Sequence, residues 1–293
     1  MMTSDALIQF SEARAALVAT GAKSTVAITL PGHGPLSAIL WRKGVAVTSE
    51  QVLAEGDNYV AVLPGGQRVP AKLAGRDPGT NVAAFTLDFD GPMLERAPDV
   101  AVGQMAILIG ADGDGGPTAR MGSVRRLGPA WQSLAGGKID RLIVLDARLR
   151  PDTEGGPVLD ARARLIGLST SGPRGRALVI PHETVERVLD PLLRDGRVAR
   201  GWLGVGVQPV RLSEVDAGQE TGLMVASLAK DGPGDKAGLV LGDILLALDG
   251  EPTLGVRGLA RLLGPERVGK TATLRILRGG AAKDVSVTVG PRP

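Results

Sequence analysis

The chain of 293 residues contains no cysteine. That excludes disulfides, thiol nucleophiles and thiolate metal sites, and it is compatible with a reducing or an oxidising compartment. Aromatic residues make up only 2% of the sequence, so the core has to be built from Val, Leu, Ile and Ala. So few rings leave little to stack on bases, and the Arg125-Arg126, Arg162/Arg164 and Arg174/Arg176 doublets are interleaved with acids; nucleic acid is not an expected partner. Only two histidines occur, His33 and His182, neither with metal-ligand spacing around it, and no metal or other cofactor is expected. No apolar run approaches the ~18 residues needed to span a bilayer, so membrane insertion is not expected. The N-terminal MMTSDALIQFSEARAALVATGAKS lacks a basic region followed by an apolar one. A cytoplasmic location is expected for the chain as it stands, and a periplasmic one if a leader has been removed.

Apolar residues amount to 43%, enough for a sizeable core, and the abundance of Gly (42) and Pro (20) suits many short strands joined by turns. Residues 5–20 place Ala6, Leu7, Phe10, Ala13, Leu17 and Val18 at helical spacing, which predicts an amphipathic helix. Nine strand-length apolar runs follow: STVAITL, LSAILW, GVAVTS, NYVAVLP, VAAFTL, MAILIG, RLIVLD, RLIGLST and ALVIP. Their spacing predicts an all-β sandwich or barrel. In PHETVERVLDPLLRD (181–195) the period changes to 3.6, with Val185, Val188, Leu189, Leu192 and Leu193 on one face and Pro191 expected to bend or break the helix. The basic connector from Gly196 to Gly201 marks a boundary, after which the chain has length for one small domain.

Two motif matches dissolve on inspection. Gly264 to Thr271 fits the phosphate-binding pattern G-x-x-x-x-G-K-[ST], but a helical segment precedes it and a strand-like one follows, the reverse of what cradles phosphate. Asp112-Gly113-Asp114-Gly115 begins like a calcium loop but lacks the later ligands, so a polar turn is expected.

Six segments are more specific: VTSEQVL (47–53), DPGTNVAAFTLD (77–88), RPDTEGGPVLDARARLIGLSTSG (150–172), ALVIPHETVERVL (177–189), RGWLGVGVQPV (200–210) and PGDKAGLVLGDILLALDG (233–250). In this order they resemble the HtrA/Deg family, in which a trypsin-like two-barrel serine protease domain precedes a PDZ domain. The resemblance runs from about Ser24 to Val289. It implies a mostly β chain with a helical segment at 1–23, a trypsin-like double β-barrel at 24–196 and a small α+β PDZ domain at 197–293.

The resemblance also maps the family's catalytic turns. Its Thr-Asn-x-His-Val-Val corresponds to Thr48-Ser49-Glu50-Gln51-Val52-Leu53, so Gln51 stands where the general base would be. Its Asp-x-x-x-Asp-(Ile/Val)-Ala corresponds to Asp77-Pro78-Gly79-Thr80-Asn81-Val82-Ala83, so Asn81 stands for the orienting carboxylate. Its Gly-Asn-Ser-Gly-Gly-Pro corresponds to Asp152-Thr153-Glu154-Gly155-Gly156-Pro157. Glu154 then occupies the nucleophile's place, and Asp152 that of the glycine whose N–H helps bind the oxyanion. An amide takes no proton near neutral pH, and Asn81 would hold even a histidine in the wrong tautomer. A carboxylate ~4 Å from a developing oxyanion repels it by about 4 kcal/mol at an effective dielectric near 20, roughly a thousandfold in rate. The other hydroxyls near the site, Ser49, Thr153, Ser169 and Ser171, have no matching histidine beside them. The expectation is therefore no catalytic residues and no enzyme: a pseudoprotease acting as adaptor, chaperone-like protein or regulator in protein quality control. The alternative is a serine endopeptidase working through non-standard residues. Glu154 is expected to fold into the remnant oxyanion hole or to pair with the Gln51 amide, since a buried carboxylate needs donors.

The PDZ part keeps its working residues. The resemblance implies that Trp202, Leu203, Gly204 and Val205 form the loop that cradles a peptide's terminal carboxylate. A helix from Val256 to Leu263 would line the groove with Val256, Leu259 and Leu263 and favour small or aliphatic C-terminal side chains. The expected partners are protein or peptide C-termini, unfolded proteins and an active protease relative. The family trimerises through N-terminal aromatics; only Phe10 is available here, and the oligomeric state stays open.

Overall fold

The computed structural model describes residues 2–133, 135–212 and 219–292. The chain divides into two compact units, Met1–Arg197 and Val198–Pro293.

The first unit begins with helix α1, Met2–Ala22. The expected helix forms, but its apolar stripe is not buried within this chain, with Leu7 70% and Phe10 47% exposed. Only its end is packed: a side chain at Gly21 would collide with Ile109 and Leu159.

A closed antiparallel barrel follows: β1 (Thr25–Thr29), β2 (Leu36–Arg42), β3 (Val45–Ser49), β4 (Tyr59–Val62), β5 (Arg68–Asp77) and β6 (Val82–Leu87), in the order β1-β2-β3-β6-β5-β4. Its core is aliphatic, from Val26, Ile28, Leu40 and Leu63, with the Tyr59 and Phe85 rings edge to face at 5.1 Å.

The second barrel uses β7 (Met105–Ala111) and β8 (Pro117–Gly128) and then, past a small hairpin of β9 (Trp131–Gln132) and β10 (Lys138–Ile139), β11 (Leu142–Arg148), β12 (Pro157–Leu159), β13 (Leu165–Ser171) and β14 (Arg176–Pro181). It closes in the order β11-β14-β13-β12-β7-β8 around Leu108, Val124, Ile143, Leu145, Val158 and Ile166. All nine apolar runs are strands. β5 and β8 were not visible as such, because their outer faces are polar and solvent-exposed.

Helix α2, His182–Asp195, closes this unit. Pro191 lies inside it without breaking it. Val185, Val188, Leu189 and Leu192 are fully buried on one face and hold the helix through the lost hydrogen bond. Glu186 accepts from Trp41 Nε1 (2.7 Å), Arg42 (2.9 Å) and Arg96 (3.1 Å), fastening α2 to the strands below. His182 is mostly buried, its Nε2 3.0 Å from the Ala97 carbonyl.

The second unit contains β15 (Gly201–Trp202), β16 (Val205–Arg211), β17 (Thr221–Leu228), the short α3 (Pro233–Lys236), β18 (Ile244–Leu248), β19 (Glu251–Pro252), α4 (Gly255–Leu262), β20 (Thr271–Arg278), β21 (Ala281–Thr288) and β22 (Gly290–Pro291). Its sheet runs β16-β17-β18-β20-β21 with β16 at the edge. Helix α4 and then β20 flank residues 264–271, the order that rules out a phosphate loop there. Asp112 Oδ1 accepts from the N–H groups of Asp114 (2.9 Å) and Gly116 (2.8 Å), so the calcium-like stretch is a polar turn.

Asp160 ties the β12–β13 hairpin. It is 2% exposed and accepts from the backbone of Arg162 (2.8 Å) and Arg164 (2.9 Å) and from the Arg164 guanidinium (2.7 Å). Burial alone would raise its pKa, but the Arg164 and Arg162 hydrogen bonds outweigh it and hold the carboxyl below its ordinary value. A depressed folded-state pKa gives stability that is present above the unfolded value and lost as pH falls through the folded one. We expect Asp160→Asn to cost about 3 kcal/mol at neutral pH. The gap between wild type and variant in urea unfolding should narrow on acidification below about pH 4.

Candidate functional site

The polar centre of the first unit is assembled from three turns. After β3 the chain runs Ser49-Glu50-Gln51; before β6 Asn81 sits in the left-handed region (φ 58°), a conformation asparagine tolerates. Asp77 shapes that turn by accepting from the N–H groups of Gly79 and Thr80 (both 3.1 Å) and from the Thr80 hydroxyl (2.7 Å). The third turn carries Asp152, Thr153 and Glu154 into β12.

Gly155 explains why the third turn is where it is. Its φ is +84°, and a Cβ there would lie 2.2 Å from both the Ser37 carbonyl and Thr48 Oγ1; one at Gly156 would lie 1.9 Å from the Ile109 carbonyl. The turn is also pinned from outside, because the Asp152 carbonyl accepts from Ser37 Oγ (2.9 Å) and Thr118 Oγ1 (3.0 Å).

The three positions singled out from sequence come together around Glu154, which is 5% exposed. Gln51 Nε2 donates to Glu154 Oε1 at 2.8 Å, the expected amide–carboxylate pair. The same amide reaches Thr170 Oγ1 (2.9 Å) and the Ser171 carbonyl (3.1 Å). Asn81 Oδ1 accepts from the Gln51 N–H (2.6 Å) and Ser49 Oγ (3.3 Å), while its Nδ2 donates to Thr170 Oγ1. Ser171 completes the cluster, its N–H 3.2 Å from Glu154 Oε1 and its hydroxyl donating to Oε2 at 2.6 Å. Thr170, the hub of this network, escaped the sequence reading; it follows an ordinary strand pattern, and only pairing of the two barrels brings it to Asn81.

The four hydroxyls considered as substitutes differ sharply. Ser49 and Ser169 are fully buried, and Ser169 is bound to the Thr153 and Gly156 carbonyls. Thr153 is buried and donates to Arg150 O at 3.2 Å. Ser171 alone of the four is partly exposed. The N–H groups of Thr153 (3.0 Å) and Glu154 (3.1 Å) both donate to the Arg150 carbonyl, so neither is free for an oxyanion in this conformation.

In the second unit the Leu203 and Gly204 carbonyls accept from Gly234 (2.7 Å) and Ala229 (2.7 Å), which anchors the 202–205 loop. Gly204 has φ +72°, and a Cβ added there would lie 3.3 Å from Gly232 and Pro233. Leu203, Leu259 and Leu263 are buried in the core, and the helix ends at Leu262, one residue short of the expected Leu263. Val256 is half exposed, and Val205 packs partly buried against the same core.

Gly155→Ala should cost upward of about 3 kcal/mol, since backbone on one side and a buried hydroxyl on the other leave no room and the positive φ adds strain. Gly175→Ala, with φ +70° but open space around it, should cost only about 1 kcal/mol. Urea unfolding of the two variants checks the difference.

Known proteins agree with this architecture. The family model for a trypsin-like peptidase domain matches residues 36–168, and that for a PDZ domain matches 201–289. A probable periplasmic serine endoprotease DegP-like from Brucella suis is 32% identical over 269 residues, covering 87% of this chain and 52% of that protein. A counterpart of the same name from Pseudomonas fluorescens is also 32% identical, covering 87% and 56%. The chain thus spans about half the length of the curated relatives it matches. Among solved structures, the HtrA-type protease AlgW with decapeptide superposes with a TM-score of 0.76 at 25% identity, covering 94% of this chain and 98% of that one. These relatives overturn the expectation that the chain is not an enzyme, for they are named as serine endoproteases, and the periplasmic names leave the cytoplasmic expectation without support. The chain joins a trypsin-like peptidase domain to a PDZ domain and is a homologue of the HtrA/DegP proteases.

Proposed function

We propose that this chain is a periplasmic endopeptidase of HtrA/DegP type that cleaves unfolded polypeptides through non-standard residues and engages chain ends through its PDZ domain. The observation that carries the hydrolytic part is the Ser171–Glu154 pair, a partly exposed hydroxyl donating to a carboxylate at 2.6 Å. That is the length of a charge-assisted hydrogen bond and puts nucleophile and base in direct reach. Gln51, Asn81 and Glu154 hold the positions of the usual triad in this reading. The two amides take no proton, so Glu154 is the acceptor.

The reaction that follows is simple in outline. Ser171 Oγ attacks the peptide carbonyl as its proton passes to Glu154 Oε2. The proton then goes to the leaving amine as the C–N bond breaks, and water resolves the acyl–Ser171 ester. The N–H groups of Thr153 and Glu154 serve the oxyanion once they turn from the Arg150 carbonyl. Carboxylates are weaker bases than imidazole, so turnover is expected at least about a hundredfold below that of a histidine-based site. With an unfolded protein substrate we expect slow cleavage and a single serine-directed phosphonate adduct, on Ser171, read by intact mass. Glu154→Gln and Ser171→Ala should abolish both. No cleavage by the wild type, or cleavage that survives both substitutions, overturns the reading.

For peptide capture, the loop Trp202-Leu203-Gly204-Val205 receives the terminal carboxylate on backbone N–H groups, and the peptide adds to the free edge of β16 beside α4. Leu203, Leu259 and Leu263 form the floor, and exposed Val256 meets the last side chain. A peptide ending in a free Val carboxylate should bind at least about tenfold more tightly than its C-terminal amide, a difference of about 1.4 kcal/mol. Val256→Glu should remove that preference in a fluorescence-anisotropy titration.

A further inference from the structure

Four exposed arginines lie on the segments that flank Glu154 and Ser171 in the chain, and none of them has an acidic partner among the described residues. Arg148 ends β11 and is the direct cross-strand neighbour of Arg176 at the start of β14. Arg150 precedes the Pro151–Thr153 turn and binds the Thr153 and Glu154 N–H groups through its carbonyl. Arg174 lies three residues beyond Ser171, in the loop joining β13 to β14. All four side chains are exposed, and no acidic group among the described residues lies within 4.0 Å of their guanidinium nitrogens; Asp146, two residues before Arg148, makes no ion pair with it.

The segments that carry them, the arginine rim, are held together by the backbone. Gly172 N–H donates to the Arg176 carbonyl (2.8 Å), Gly175 N–H to the Gly172 carbonyl (3.1 Å) and Leu149 N–H to the Gly175 carbonyl (3.1 Å). These bonds lock the Arg148–Arg150 segment against the Arg174–Arg176 loop, with Arg174 itself in the left-handed region at φ 61°. Like charges placed directly opposite on neighbouring strands are destabilising. The Arg148/Arg176 pair is therefore a standing cost in the free protein, and an anionic ligand relieves it. Elsewhere in this unit arginines do find acids: Arg42, Arg76, Arg96, Arg141, Arg164 and Arg187 all form ion pairs. Arg14, Arg120, Arg125, Arg126 and Arg162 also form no ion pair among the described residues, so what sets the rim apart is the direct opposition of Arg148 and Arg176 across two strands.

We propose that this rim is a recognition surface for acidic polypeptide segments, positioning Glu- and Asp-rich stretches next to Ser171 and Glu154. It adds a substrate class to the endopeptidase reading. A peptide fits better than a nucleic acid because the rim has no aromatic ring on which a base could stack. The charges also counter a local difficulty: Glu154 would repel an acidic segment at close range, and the four cations outnumber it.

The test uses the full chain carrying Glu154→Gln, so that binding is read whether or not the wild type cleaves. A fluorescein-labelled Glu-rich peptide with an amidated C-terminus offers no terminal carboxylate to the PDZ loop. We expect it to bind at least about tenfold more tightly than the same peptide with Gln for Glu, and to weaken several-fold between 50 and 200 mM salt. Arg148→Glu/Arg176→Glu should abolish the preference and Arg148→Gln/Arg176→Gln reduce it, with unchanged circular dichroism. Lys72→Glu, an exposed change on the first barrel, should leave it intact. Equal binding of the Glu and Gln peptides, an equal loss with Lys72→Glu, or tighter binding of a DNA oligomer of matched charge overturns the proposal. Cleavage failing while this preference holds would overturn only the endopeptidase reading.

Discussion

One buried carboxylate organises the centre of the first unit. Glu154 accepts from Gln51 and Ser49 on one barrel and from the backbone and hydroxyl of Ser171 on the other. A carboxyl group at 5% exposure is tolerable only with such a ring of hydrogen-bond partners. The ring requires the two barrels to close at this register, and the register depends on Gly155 and Gly156, where a single Cβ would meet backbone at about van der Waals overlap. The Gly-Gly-Pro turn is thus first a joint between barrels. Its chemistry sits one residue upstream.

That separation of joint from chemistry explains how the architecture of a trypsin-like peptidase accommodates Gln51, Asn81 and Glu154 together. Each of the three is satisfied by the others or by Thr170, so the cluster is a closed hydrogen-bond network and not a broken triad with stranded groups. The partly exposed Ser171 hydroxyl is where the network opens toward solvent, and the unpartnered arginines lie on the segments that flank it. Charge, a carboxylate-bound hydroxyl and a backbone-pinned loop therefore lie on neighbouring segments of the unit.

Much of the fold was legible along the chain. Short apolar runs marked nine of the barrel strands, most of them buried along nearly their whole length, and a change to a 3.6 period marked α2, which buries one face. β5 and β8 left no such trace; they complete barrels with faces turned to water. Pro191 does not break α2, because local propensity counts for less than four fully buried side chains on the same helix. The stripe on α1 misled: helical spacing was present, but nothing among the described residues covers Leu7 or Phe10.

The sequence by itself determined which residue types stand at the critical turns, and elementary acid–base chemistry then excluded Gln51 and Asn81 as proton acceptors. Strand spacing pointed to an all-β sandwich or barrel, and the resemblance to the HtrA/Deg family implied the double barrel that carries those turns. Only the tertiary structure decided that Ser171, among four hydroxyls of similar standing, is the partly exposed one bound to Glu154, that Thr170 links the amides, and that Arg148 and Arg176, at the two ends of a 29-residue stretch, lie directly opposite each other. The reason is physical: strand pattern records which face is buried, whereas the meeting of side chains from different strands is set by barrel closure, which no local pattern encodes.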